Sequence, residues 1–290
     1  MQSPLPFAAL LFNAFVWGLA WWPFQHMHRA GLHPLWATAC MYAVVLLGLL
    51  AWRPGLWVQV RQHPQLWLLA LSSGLNNVAF NWAVTIGDVV RVILLFYLMP
   101  AWAVLLAWRI LGERPTPSAL LRLVLAFSGV ALVLLPEGAP AARLLHNLSL
   151  ADGLALLGGF MFALTNVTLR RLHAVPGPAR MFAMFGGCML MALAVAFAGR
   201  QAGVVDPFPA VNGTWVATGL LLAGVLLLGN WALQFGAARL AAGTTALVML
   251  SEVVFASGSS MLAGAAQPTA RTLIGGALVM GAALLAALRR

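Results

Sequence analysis

Lysine is absent from this chain, and acidic residues are scarce: sixteen arginines stand against six aspartates and glutamates, and charged residues make up 8% of 290 positions. A soluble domain has about a quarter of its residues charged. Hydrophobic residues reach 62% here, so the chain cannot clothe a water-exposed surface, and the solvent around most of it must be lipid. Cysteine is nearly missing too. Cys40 and Cys188 lie far apart inside apolar runs, which excludes a disulfide framework and leaves two small buried residues. No CxxC pair, HExxH zinc site, GxSxG elbow, P-loop or Asp-rich diphosphate motif is present, so neither an enzyme class nor a cofactor is indicated. The six histidines, His26, His28, His33, His63, His146 and His173, all fall in expected loops and form no metal constellation.

The net charge of +10 would suit nucleic acid, but binding of that kind needs basic residues gathered on one face. Here the arginines occur singly or in pairs between apolar runs, the distribution of topology signals. The N-terminus has no basic leader, and its apolar run is too long and aromatic for a cleaved signal peptide. It reads as a first membrane span.

With about 20 apolar residues per crossing, the chain divides into ten expected spans: 6–26, 34–52, 66–87, 91–109, 118–136, 150–171, 179–199, 213–236, 243–265 and 270–288. Turn residues punctuate the gaps, as at Arg53-Pro54-Gly55, Gly112-Glu113-Arg114-Pro115, Pro136-Glu137-Gly138, Pro176-Gly177-Pro178 and Asp206-Pro207. A cytoplasmic N-terminus puts Arg53, Arg61, Arg109, Arg114, Arg122, Arg170, Arg171, Arg180, Arg239, Arg289 and Arg290 inside. Arg29, Arg91, Arg143, Arg200 and Arg271 are then outside. Both termini are therefore expected inside.

The segment "LAWRILGERPTPSALLRLVLAFSGVALVLL" (106–135) is echoed by "SSMLAGAAQPTARTLIGGALVMGAALLAAL" (259–288), each with a Pro-Thr turn and a late glycine, Gly129 or Gly281, offset by 152 or 153 positions. Five spans per copy is odd, so the second copy lies upside down. The expected fold is an all-α integral membrane protein of ten transmembrane helices in two inverted five-helix repeats. They occupy 1–136 and 150–290, joined by a connecting loop at 137–149.

Polar side chains at mid-span need a reason in lipid. They include Asn13 in the first span, Asn76, Asn77 and Asn81 in the third, Tyr97 in the fourth, Thr165 and Asn166 in the sixth, Asn230 and Gln234 in the eighth, and Ser251 and Glu252 in the ninth. Asn13, Trp17 and Trp21 share one helical face, since residues four apart stack along a helix. Hydrogen bonds that glue helices explain an isolated asparagine, at about 0.6–2 kcal/mol each. Stripes on spans 1, 3, 4, 6, 8 and 9 instead suggest a central cavity with the apolar spans outside it. Trp17, Trp82, Trp102 and Trp231 lie deeper than an interfacial tryptophan belt, and indoles beside amides suit a solute with an apolar body and a polar head. The expected lining is Asn13, Trp17, Asn77, Asn81, Trp82, Tyr97, Trp102, Asn166, Trp231 and Gln234. Pro100, within a span, removes a backbone donor and is the expected hinge. Glu252 leaves two readings open, a proton site or a carboxylate solvated near the surface.

The stretch "YLMPAWAVLLAWRILGERPT" (97–116) leading to "GVALVLL" (129–135), the early Trp17-Gly18 and the paired halves resemble the drug/metabolite transporter superfamily, EamA type. The second half departs from that pattern at Ala265-Ala266-Gln267, where a Gly-Glu pair is common, and at Ser251-Glu252, near the usual proline. The crowd of intramembrane tryptophans and asparagines is similar to bacterial aromatic amino acid exporters of the YddG kind. The resemblance implies a monomer-competent exporter of aromatic amino acids in the bacterial cytoplasmic membrane, with a central cavity open alternately to each side. Its partners would be the lipid bilayer and a small-molecule substrate, without nucleic acid. A drug or other metabolite carrier on the same scaffold is the alternative; a membrane enzyme or scaffold without transport is a reading from another class.

Overall fold

A computed structural model describes residues 4–87, 89–134, 149–264 and 269–288. Among them every regular element is helical: α1 (Leu5–Arg29), α2 (Pro34–Trp52), α3 (Leu56–Gln62), α4 (Gln65–Ile86), α5 (Val89–Phe96), α6 (Met99–Leu106), α7 (Pro117–Leu134), α8 (Leu150–Arg171), α9 (Gly177–Gln201), α10 (Gly213–Ala237), α11 (Ala242–Met249), α12 (Glu252–Leu262) and α13 (Ala270–Leu288). A single π-helical stretch, Ala107–Leu111, continues α6 and ends at Gly112, whose φ of 72° suits a residue without Cβ. The chain is thus an all-helical, multi-pass membrane protein. Eight of its described stretches are long and apolar enough to cross a bilayer. Of the ten expected spans, α4 falls short because Ser72, Ser73, Asn76, Asn77 and Asn81 dilute its hydropathy, and α13 offers a shorter apolar run.

The helix starts are written locally. Ser149 opens α8 with a capping box, its Oγ accepting from Asp152 N at 3.3 Å while its own N donates to Asp152 Oδ2 at 2.7 Å. Asn212 caps α10 through Thr214 N at 2.8 Å. His33 caps α2, its Nδ1 accepting from Leu35 N at 3.2 Å. His26 and His28 belong to the last turn of α1 rather than to a loop, because that helix runs to Arg29.

Two helices are interrupted, and their positions match. α5 and α11 begin at 89 and 242, α6 and α12 at 99 and 252, α7 and α13 at 117 and 270, a difference of 153 each time. The first break falls at Tyr97–Leu98, with Pro100 in the first turn of α6, where a missing N–H costs nothing. The second break has no proline. There Ser251 Oγ donates to Val248 O at 2.7 Å, giving that carbonyl a partner outside the helical ladder.

Glycine sets the close crossings. A Cβ on Gly129 would sit 2.6 Å from Gly275 O, and one on Gly275 would sit 2.6 Å from Gly129 O. Gly129 faces Leu278 and Val279, whereas Gly275 faces Leu132 and Val133, so α7 and α13 run antiparallel. The glycine meeting Gly129 is therefore Gly275, and not Gly281, which has open space around it. Small residues at such contacts replace the hydrophobic drive that lipid removes. Leu47, Val124, Leu221 and Leu262 are bare of protein and face lipid. The connecting loop lies outside the described residues except for Ser149, as do Asp88, Glu137, Arg143, His146, Ala265-Ala266-Gln267, Arg289 and Arg290.

Candidate functional site

The polar face of α1 answers to the second broken helix. Phe12, Phe15, Leu19 and Trp22 point to lipid, and the opposite face holds Asn13, Trp17 and Trp21. Asn13 is fully buried and its Nδ2 donates to Met249 Sδ at 3.4 Å, at the end of α11. Two turns on, Trp21 Nε1 donates to Ser259 Oγ of α12 at 2.9 Å, and Ser259 in turn donates to Gly18 O at 3.2 Å. Trp17, between them on the same face, is only half-buried.

The first broken helix rests on α8 in the same way. A Cβ on Gly159 would meet Phe96 O at 2.5 Å, and one on Gly18 of α1 would meet Phe255 Cβ at 2.5 Å. Each broken helix thus lies against a glycine of an unbroken one. Tyr97, at the first break, is almost wholly buried beside Phe96, whose ring also stands 6.0 Å from Phe162 of α8. Trp102 of α6 meets Phe160 edge-on at 5.7 Å, and its Nε1 is buried without a hydrogen-bond partner.

On α8, Leu150 and Leu157 face lipid. Thr165 turns sideways and donates to Ser72 Oγ of α4 at 3.0 Å. Asn166, on the face away from lipid, is buried with neither amide atom hydrogen-bonded. Asn77 and Asn81 of α4 are half-buried, and Asn81 Nδ2 donates to Asn77 Oδ1 at 3.0 Å.

Three expected lining residues are not brought to this set. Trp231 belongs to the lipid-facing stripe of α10 with Leu221 and Leu228, and its ring lies 6.2 Å from that of Trp52. The four-residue spacing that drew attention to Asn230 and Gln234 puts their neighbour Trp231 on another side of the helix. Gln234 braces α9: with its amide turned to suit its neighbours, it donates to Gly177 O at 3.3 Å and accepts from Met181 N at 3.2 Å. Trp82 leans on α9 as well, its ring about where a side chain on Gly199 would have to go, 3.0 Å from that Cβ position. Glu252 is half-buried in the first turn of α12, where the helix dipole favours a carboxylate.

Charged groups near the helix ends tie those ends together. Glu113 Oε1 stands 3.6 Å from Arg170 Nε, and its Oε2 accepts from Ala242 N at 3.2 Å, the first amide of α11. Arg170 also donates to Ala238 O at 2.8 Å. Above this latch, Ala107, Val167 and Ala242 form one close layer, and Ala103, Ala163 and Ala246 the next. Alanine at five of these six positions, with Val167 at the sixth, lets α6 with its π-helical continuation, α8 and α11 pack closely there. At the other end Arg91 Nε meets Asp152 Oδ1 at 2.8 Å and joins α5 to the start of α8. The Gly112-Glu113-Arg114 motif was the available signal, but as a mark of resemblance it said nothing of its partner.

Outside the spans, His33 departs from its ordinary proton affinity. Burial lowers that affinity, nearby His28 lowers it further, and Asp206 acts the other way.

A helical membrane bundle with polar groups collected at two helix breaks has the general form of a solute carrier. Comparison with known proteins agrees. Residues 6–135 match the EamA-like transporter family. An uncharacterized transporter of Pseudomonas aeruginosa is 36% identical over 98 residues, 32% of this chain. The matched part spans 32% of that protein's length. A crystal structure of a protein 19% identical in sequence superposes with a TM-score of 0.77, covering 97% of this chain and 96% of the other, which shows a shared fold. The matching family model and the Pseudomonas relative are both described as transporters.

Proposed function

We propose that this chain exports aromatic amino acids and related small amphipathic solutes across the bacterial cytoplasmic membrane by alternating access. The observation that carries the reading is a polar side chain at each of two helix breaks, Asn13 donating to Met249 beside the second and Tyr97 buried at the first; Trp17, Asn77, Asn81, Trp102 and Asn166 are the further lining residues it assigns. Indole and phenol rings take an apolar body, and primary amides take a polar head. Pro100 is the hinge on the first side, and Ser251 marks the equivalent flexure on the second. The membrane arrangement is ten crossings in two inverted halves with both termini inside. The common offset of 153, the antiparallel α7–α13 contact and the arginine bias support it. Glu252 is the candidate proton site, and a single chain suffices for transport.

Proteoliposomes loaded with labelled tryptophan give the test. Efflux well above protein-free vesicles, reduced by unlabelled phenylalanine, is the expected result; flux at the protein-free level refutes the substrate assignment. Efflux of other amphipathic compounds in the same vesicles would favour the wider drug or metabolite carrier. A set pH gradient that leaves the rate unchanged removes Glu252 from the coupling role.

A further inference from the structure

α2 and α10 each carry a tryptophan toward either end, and the two ends treat theirs differently. At the starts, Trp36 Nε1 donates to Asp206 O at 3.0 Å and Trp215 Nε1 to Ala210 O at 3.3 Å, and both rings are buried. Toward the other ends, Trp52 and Trp231 are exposed, and neither indole N–H donates within the described protein. Their rings lie 6.2 Å apart, so two helices form one ledge, and Arg53 holds its guanidinium 4.6 Å over the Trp52 ring. Trp231 precedes the last residue of α10, Ala237, by six positions, about 9 Å along the helix. The ledge therefore runs from headgroup depth toward the acyl chains. The link from α2 to α4 extends this surface: α3 buries Leu56 and Val60, exposes Trp57, Val58 and Arg61, and sets the Trp57 ring edge-on to Trp67 at 5.9 Å. No described carboxylate pairs with Arg53 or Arg61, since Glu113 is taken by Arg170 and Asp152 by Arg91. Exposed arginines beside indoles at a helix end, with no acid of their own, have the charge to hold a lipid phosphate.

We propose that Trp52, Arg53 and Trp231 bind one anionic phospholipid at the seam between α2 and α10. Arg53 pairs with the phosphate. The Trp52 N–H donates to a headgroup oxygen, and the Trp231 ring packs against the first methylenes of an acyl chain. A zwitterionic phospholipid carries no net charge for Arg53 to neutralise, so it is held more weakly. Because the contacts come from two helices, the bound lipid ties the end of α2 to α10. The ledge stands on the lipid side of the bundle, outside the proposed solute path, so the assignment goes beyond the transport reading and holds without it.

The test uses the full chain, stripped of lipid in an uncharged detergent, and reads its melting temperature as phosphatidylglycerol, phosphatidylcholine or inorganic phosphate is added. Phosphatidylglycerol should raise the melting temperature by about 5 °C, while the other two leave it nearly unchanged. Arg53→Gln and Trp231→Leu, both on exposed positions, should at least halve the rise. Arg200→Gln, at the far end of α9, should keep it whole and so separates a site from general surface charge. The number of phosphatidylglycerol molecules retained in native mass spectrometry should fall by one in Arg53→Gln, a readout that does not depend on stability. An undiminished rise in Arg53→Gln or Trp231→Leu, or an equal loss in Arg200→Gln, overturns the site. An equal rise with inorganic phosphate gives it to a free anion and overturns the lipid as its occupant.

Discussion

The two broken helices share a position and differ in almost everything else. The α5–α6 break carries Pro100 in the turn that follows it; the α11–α12 break carries Ser251 and Glu252 and no proline. α5 packs on α4 and α8, and Arg91 ties it to Asp152. α11 packs across to α1, α6, α8 and α13, and Glu113 holds its first amide. One architecture is thus repeated in two settings with an ion pair at each, Arg91 with Asp152 beside α5 and Glu113 with Arg170 beside α11. A single chain can hold two unlike conformations at symmetric places because small residues make both packings available at little cost.

The largest expected effect comes from filling the glycines on which the breaks rest. Gly159→Val forces a Cβ toward Phe96 O and Gly18→Val forces one into Phe255. Each should cost about 1–3 kcal/mol, read as a lower melting temperature in detergent, and equal losses would mean the two breaks are braced alike. Next in size is the contrast between two tryptophans. Trp17→Ala should reduce efflux about tenfold, equivalent to about 1.4 kcal/mol, while Trp231→Ala on the lipid face should leave it near wild type; equal rates would dissolve the distinction between lining and lipid-facing rings.

A smaller change is expected at the latch. Glu113→Gln loses the partly exposed ion pair with Arg170, worth up to about 1 kcal/mol, and a crosslinking or fluorescence distance between α11 and the end of α8 should lengthen. The smallest effect concerns His33. Its folded-state proton affinity is lowered, so the unfolded chain binds the proton more tightly. Stability present above the ordinary value of 6.5 should then decline as pH falls below it, by a fraction of a kcal/mol, with protonation removing the acceptor of Leu35 N. His33→Asn, which caps without titrating, should flatten that part of the melting-temperature profile.

Much of the fold was legible before any coordinates. Lipid forces each crossing to satisfy its own backbone, so span positions follow from apolar runs, and the 153 offset was visible in one pair of segments. Asn13 and Trp17 could be placed on one face from spacing alone. Trp231 could not be judged so, because an indole at mid-depth suits either lipid or an interior. Gln234 escapes the pattern for a related reason: an amide in a span binds whatever polar atom its neighbour offers, and here that is the first turn of α9.

Composition and hydropathy by themselves determined that this protein is a helical bundle in a bilayer, since a chain so poor in charge has no other way to solvate its surface and pair its backbone. Which polar groups meet and which remain unpartnered depended on the way the helices are turned toward one another. Those contacts join residues more than a hundred positions apart, such as Glu113 with Ala242 or Asn13 with Met249, and no local pattern encodes the rotation of one helix against another.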